Sequence, residues 1–313
     1  GRHNLWIGTY NGLYIFNIAD KTITRYQHDE NNSSSLSQNS VYSICRDQMG
    51  DMWVGTYFGG INYYSSSYNR FKHLTAGNNN RNLNYKVISS IIEDDAHNLW
   101  IGTEGGGINF YNKKTGIFTY YTHSEKDPNS ISANNVKTML MDKTGGLWIG
   151  LHDGGLNYLN TTVRPYRFKK INRGIDGNLS SNRVVSLFQD EMDNIWIGTS
   201  GGGLNRLTPL TGKITRIVQN EKIIGDIVYL IAASSKKGNV LIGSNVGLAE
   251  MDINTLKSKR IVFNEATNNS APVPVLSIYN KPGNELWVGT EGDGLYSYNL
   301  LTKKSKHYGI AEG

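Results

Sequence analysis

Seven times along the 313-residue chain an apolar motif ends in Gly-Thr or a close equivalent, and residues able to do chemistry follow it. They are Tyr10 with Asn11, Tyr57 with Phe58, Glu104, His152 with Asp153, Ser200, Asn245, and Glu291 with Asp293. Aromatic faces meet the C–H side of a sugar ring, while carboxylates and amides take its hydroxyls. The candidate ligand-binding set is therefore Tyr10, Tyr57, Phe58, Glu104, His152, Asp153, Glu291 and Asp293. The same mix would serve a protein partner, and ordinary turn variation accounts for any one of these residues taken alone.

Catalysis is not expected from this set. Glu104, Asp153, Glu291 and Asp293 could supply an acid–base carboxylate pair, but they come from different repeats, so their separation is not readable. Of the seven histidines, His28, His73, His123 and His307 share a phase near the end of a repeat that suits a structural or surface role. His97 sits in a turn, His3 at the start of the chain, and only His152 falls among the candidate residues. No two histidines have metal-ligand spacing, so neither a metal nor a cofactor is expected.

The elements that must position these residues are repeats. The motif reads Leu5-Trp-Ile-Gly-Thr9, Met52-Trp-Val-Gly-Thr56, Leu99-Trp-Ile-Gly-Thr103, Leu147-Trp-Ile-Gly-Leu151, Ile195-Trp-Ile-Gly-Thr199, Val240-Leu-Ile-Gly-Ser244 and Leu286-Trp-Val-Gly-Thr290. Successive copies lie 45 to 48 residues apart, near the length of one propeller blade. Each repeat divides into an apolar strand A, an acidic turn, the Trp strand B, a Gly-rich turn, strand C, a turn and strand D. Strands apolar on both faces must be covered on both faces, so the sheets are expected to stack with the Trp as the wedge between them. The fold class is then all-β: a seven-bladed β-propeller of four-stranded antiparallel blades. It forms a single domain over 1–313, with blades near 1–40, 41–86, 87–135, 136–183, 184–226, 227–274 and 275–313. Strand A is legible in six repeats only, so the first blade should have three strands and an open edge. Leu241 replaces Trp in the sixth repeat, which predicts a looser blade there.

The acidic turns Asp47-Gln-Met-Gly-Asp51, Asp94-Asp-Ala-His-Asn98, Asp142-Lys-Thr-Gly-Gly146 and Asp190-Glu-Met-Asp-Asn194 invite a calcium reading, but Asx-turn chemistry accounts for them without an ion. They partly resemble the Asp-boxes of sialidases, without a recognisable arginine triad. The glycine triplets Gly105-Gly-Gly107 and Gly201-Gly-Gly203 precede strands, not helices, so no helix N-terminus awaits a phosphate.

Composition narrows the class further. The net charge of +6 is spread over scattered pairs such as Lys113-Lys114, Lys236-Lys237 and Lys303-Lys304, which argues against nucleic acid. The single cysteine, Cys45, lies in an apolar run and reads as a buried side chain. No apolar run reaches the ~20 residues of a membrane helix, so no direct insertion of this segment is expected. The abrupt start suggests a piece of a longer protein, with Gly1 left from tag removal.

The segment Val87-Ile-Ser-Ser-Ile-Ile-Glu-Asp94 followed by Asn98-Leu-Trp-Ile-Gly-Thr-Glu-Gly-Gly-Gly-Ile-Asn109 resembles the two-component regulator propeller repeat. The loop element in Ser35-Leu-Ser-Gln-Asn39, Ser130-Ile-Ser-Ala-Asn134 and Asn178-Leu-Ser-Ser-Asn182 fits the same family. The resemblance implies the periplasmic sensor region of a hybrid histidine kinase and response regulator of gut-dwelling bacteria, anchored in the inner membrane. Such regions hold two propellers, dimerise, and sense oligosaccharides from complex glycans. By that likeness the chain is a non-catalytic sensing module whose partners are an oligosaccharide, a second propeller and other domains of its own chain, and a second copy of the receptor. The alternative is a structural or dimerisation platform beside a ligand held elsewhere; a polysaccharide-active lyase or hydrolase is a third reading.

Overall fold

Every Trp strand pairs antiparallel with its neighbours, and the seven repeats become seven separate sheets. The computed structural model describes residues 4–30, 32, 34–65, 70–174, 179–218, 223–263, 272–281 and 284–309; His3 and the first residue of the Asn178 loop element lie outside them. Blade 1 contains β1 (Asn4–Thr9), β2 (Gly12–Asn17) and β3 (Ile23–Tyr26). Blade 2 contains β4 (Val41–Arg46), β5 (Met52–Thr56), β6 (Ile61–Ser65) and β7 (Arg70–Leu74). Blade 3 contains β8 (Ile88–Glu93), β9 (Leu99–Thr103), β10 (Ile108–Asn112) and β11 (Ile117–Tyr121), and blade 4 contains β12 (Val136–Met141), β13 (Gly146–Leu151), β14 (Leu156–Asn160) and β15 (Phe168–Ile171). Blade 5 has β16 (Val184–Gln189), β17 (Ile195–Thr199), β18 (Gly203–Thr208) and β19 (Lys213–Arg216). Blade 6 has β20 (Val228–Ala233), β21 (Asn239–Ser244), β22 (Gly247–Asp252) and β23 (Ser258–Ile261). Blade 7 has β24 (Val275–Lys281), β25 (Glu285–Thr290), β26 (Leu295–Asn299) and β27 (Ser305–Tyr308). The fold class is an all-β, seven-bladed β-propeller whose first blade has three strands among the described residues, as the reading of strand A in only six repeats expects.

Two compact units divide the chain: residues 1–151 with 157–170, and residues 152–156 with 171–313. In the first unit, Trp53 packs with Ile61, Leu83, Ile88 and Ile101 between blades 2 and 3, and Trp100 packs with Ile131, Val136, Met139 and Ile149 between blades 3 and 4. In the second, Trp196 packs with Val228, Ile231 and Met251 between blades 5 and 6. Each buried Trp removes ~150–250 Å² from water, several kcal/mol at ~25 cal/mol per Å². Trp6 stays half-buried, because no strand A lies beside β1 among the described residues.

In blades 2 to 5 the acidic turns give the Trp wedge a polar partner. Trp53, Trp100, Trp148 and Trp196 each donate Nε1–H to the Oδ2 of Asp47, Asp94, Asp142 and Asp190, at 2.8 to 3.3 Å. The other carboxylate oxygen of each Asp accepts two backbone N–H groups of its own turn, as Asp190 does from Met192 and Asn194 at 2.9 Å. The carboxylate thus folds the A–B turn and satisfies the indole that the core would otherwise leave unpaired. The Asx-turn reading holds, and no cluster of metal-ligating groups occurs among the described residues.

The sixth blade is not looser. Leu241 is 1% exposed, and every residue of β21 is buried. Trp and Asp have changed together there. Ser234 stands at the Asp position and donates Oγ–H to Glu250 at 2.6 Å, and Lys259 covers Glu250 at 2.9 Å. With no indole to satisfy, no carboxylate is needed in the turn.

The loop elements act as latches between blades. The buried strand-C residues Asn62, Asn109, Asn157 and Asn205 accept the backbone N–H of Ser37, Asn84, Ser132 and Ser180 at 2.8 to 3.1 Å, and donate back to the same side chains. Asn39, Asn134 and Asn182 reach the preceding blade and accept the backbone N–H of His28, His123 and Arg173. His28 and His123 each hold a loop carbonyl through Nδ1, at 2.7 and 2.8 Å, so their shared phase is structural.

Two outcomes follow. Asp190→Ala should cost about 2 kcal/mol or more in urea unfolding, since it strands buried donors. In a Trp196→Leu background, which copies blade 6, the same change should cost markedly less; equal costs would sink the coupling. The second outcome concerns acid. Burial opposes the Asp47 charge, but hydrogen bonds from Trp53, Lys113 and the turn outweigh it and hold the carboxyl below the usual range. The stability this contributes is complete above the unfolded value of about 3.9 and is lost as pH falls through the folded one. Melting temperature should therefore fall more steeply between about pH 5 and 2 in the unaltered chain than in Asp47→Asn.

Candidate functional site

Strand A of six blades carries a register shift at one place: after Val41, Ile88, Val136, Val184, Val228 and Val275. Each bulge leaves one residue of the strand outside the pairing register. Those residues are Tyr42, Ser89, Lys137, Val185, Tyr229 and Leu276. Sequence reasoning missed this set. The available signal was the hydroxyl two places after the first strand residue (Ser43, Ser90, Thr138, Ser186 and Ser277), which sits opposite the Gly of strand B and marks the extra residue between.

In the first unit the bulges assemble the candidate residues. Tyr42 lies edge-on to Tyr10, ring centroids 6.1 Å apart, and 4.9 Å from Tyr57. Tyr57 meets Phe58 edge-on at 4.2 Å. The result is a continuous aromatic arc over blades 1 and 2, with Tyr10 75% and Phe58 55% exposed. Beside it Lys137 donates to Glu104 at 2.6 Å. Burial, then Tyr10 and the Glu104 charge, push the Tyr42 phenol up to about 12, so it remains a neutral donor. The backbone N–H of Tyr57 and Glu104 donate to Ser40 and Val87, which fixes each turn against the entry to its own strand A.

The second unit brings together fewer of the expected residues. His152 and Asp153 pair at 2.9 Å, and Arg183 donates Nε–H to Asp153 at 2.8 Å. The Arg183 hydrogen bond holds the Asp153 carboxyl below its usual range. Asp293 serves its own turn: Tyr296 donates to its carboxylate at 2.6 Å, and the His307 ring holds its backbone carbonyl at 2.9 Å. Glu291 is fixed through its backbone N–H to Pro274 and adds its charge to the surroundings of Tyr229. Glu104, Asp153 and Asp293 are each engaged by a cation or a phenol, not by another carboxylate.

Residues 35–58, 82–105 and 178–201 match the two component regulator propeller family. These three segments are similar to the two component regulator propeller repeat. Each matched segment runs from the latch loop through strand A, the Asp turn and the Trp strand to the first rim residues, Tyr57 with Phe58, Glu104, and Ser200. The regulator-propeller repeat thus spans both the elements that hold the blades and the residues they present.

Two solved structures, PorZ and Cps50 (Swd1), agree on the fold. PorZ, a bacterial surface component of the type-IX secretion system of Porphyromonas gingivalis, is 15% identical with a TM-score of 0.70 over 96% of this chain and 45% of its own. The Cps50 (Swd1) β-propeller domain of Myceliophteria thermophila is 11% identical with a TM-score of 0.61 over 85% of each chain. The extracellular domain of BT3049 from B. thetaiotaomicron, a proposed hybrid two component system, is 18% identical with a TM-score of 0.43 over 100% of this chain and 56% of its own. This chain therefore spans about half the length of that domain. No curated protein matches the chain. Among the described residues no helix is long and apolar enough to cross a membrane.

Gly105 shows how tightly the rim is built. Its φ is +151°, and a Cβ there would meet the Tyr85 ring at 2.6 Å. Gly105→Ala should cost about 1–3 kcal/mol in urea unfolding. Adding Tyr85→Ala should recover part of that loss, whereas strictly additive losses would show that the ring contact does not matter.

Proposed function

We propose that the chain is an extracytoplasmic ligand-sensing propeller of a hybrid two-component signalling protein, responding to oligosaccharides released from complex glycans. The observation that carries this reading is the aromatic arc of Tyr10, Tyr42, Tyr57 and Phe58, exposed at Tyr10, Tyr42 and Phe58 and flanked by the Glu104–Lys137 pair. Contiguous exposed aromatic surface is uncommon on a soluble domain and marks a binding site. Pyranose and furanose rings offer C–H faces to such rings and hydroxyls to the charged pair. The regulator-propeller repeats support the signalling context.

The sensing step is thermodynamic. A ligand on the arc shifts the receptor only by its differential affinity for two arrangements of the assembly. The blades, latched by buried asparagines, are a stiff platform. Movement then lies between this propeller and its partners: a second propeller and other domains of the same polypeptide, and a second receptor copy. The domain does no chemistry itself, and the kinase resides elsewhere in the full-length protein.

Calorimetry against glycan fragments tests this. The unaltered chain should bind a fragment, and Tyr42→Ala with Tyr57→Ala should weaken it about tenfold or more, since each ring contact contributes about 0.5–1.5 kcal/mol. Equal binding by the double variant would remove the arc from the site and favour the platform reading.

A further inference from the structure

Phe58 belongs to two neighbourhoods. One edge of its ring closes the aromatic arc at Tyr57. It also walls a cleft of about 440 Å³ that lies beyond the arc, within the first unit. His28, Glu30, Asn32, His73 and Lys86 line the same cleft. We propose that arc and cleft form one groove that holds an extended oligosaccharide, its first ring on the arc and the following rings past Phe58 in the cleft. This rests on the ligand-binding reading above and adds where the chain of sugars runs.

The lining chemistry selects a polyol. His28 Nδ1 lies 2.7 Å from the Leu36 carbonyl, and His73 Nε2 lies 2.7 Å from the Ser35 carbonyl. A carbonyl only accepts, so both of these nitrogens carry the proton, and in the neutral ring the remaining nitrogen accepts. Glu30 also accepts, Lys86 donates, and Asn32 does both. A ligand must therefore offer donors and acceptors along its length, as a run of sugar hydroxyls does. A small anion would face the Glu30 carboxylate, and an apolar ligand would find Phe58 as its only large apolar wall. The volume falls within the roughly 300–1,000 Å³ of ordinary ligand sites.

Size-graded gluco-, xylo- and arabino-oligosaccharides, from mono- to hexasaccharide, test the groove by calorimetry. Glu30 and Lys86 are exposed side chains, so Glu30→Ala with Lys86→Ala should keep the melting temperature. The pair should weaken the longest bound probe about tenfold while leaving the shortest unchanged. Glu30→Gln, which preserves shape, should show part of the same length-dependent loss. Tyr57→Ala should weaken every length. Unchanged binding of all lengths by the cleft variants would overturn the groove and leave the arc standing. An equal loss at all lengths would also overturn it, because the cleft would then be the primary site. If the unaltered chain binds no probe, the ligand-binding reading falls and the groove falls with it.

Discussion

Blades 2 to 5 each depend on a tryptophan that is both wedge and donor. A wholly apolar residue could fill the gap between two sheets, but the indole also carries an N–H that a dry core cannot leave unpaired. In blades 2 to 5 the repeat answers with an aspartate six residues earlier, whose second oxygen folds the turn joining strands A and B, whereas blade 7 keeps the buried Trp287 with Lys281 at that position. Packing, turn geometry and polar satisfaction therefore converge on two side chains. Blade 6 shows the dependence in reverse, since Leu241 arrives together with Ser234 and its core remains buried. Around Trp53 the device extends between blades: Lys113 of blade 3 bonds Asp47 of blade 2 at 3.0 Å and lies over the Trp53 ring.

The opposite ends of the strands use neutral groups for the same purpose. A buried asparagine on strand C grips the loop that leads into strand A, and the asparagine ending that loop grips the blade before it. Buried amides engaged through both oxygen and nitrogen favour one arrangement. The rim residues stand on this scaffold. Their backbone N–H groups are committed to it, so their side chains are the part left to vary. A repeat of this kind can change its rim side chains without changing its fold.

The bulges turn that freedom into a surface. In a regular strand the residue after Val41 would take its turn in the alternation and lie against a neighbouring sheet. The extra residue lifts Tyr42 out of that alternation and places it between Tyr10 of one blade and Tyr57 of the next. The bulge at Lys137 does the equivalent for Glu104. Two blades thereby share each patch of the rim, which makes the patch larger than any one turn provides.

The number of blades, the strand order, the missing strand of the first blade and the structural role of the acidic turns were legible in the sequence. They follow from local periodicity, from the spacing of Trp and Gly, and from short-range turn chemistry. Tyr10, Tyr57 and Phe58 were legible as rim residues for the same reason. Tyr42, Lys137 and the cleft beside His28 and His73 were not. A bulge is a register between two strands, and a cleft is made by loops far apart in the chain, so neither leaves a periodic trace. The sequence likewise suggested that Leu241 would loosen its blade, because a lost Trp is visible locally. Only the packed structure shows Ser234 and Glu250 taking up the change, since that compensation runs across strands where side chains meet.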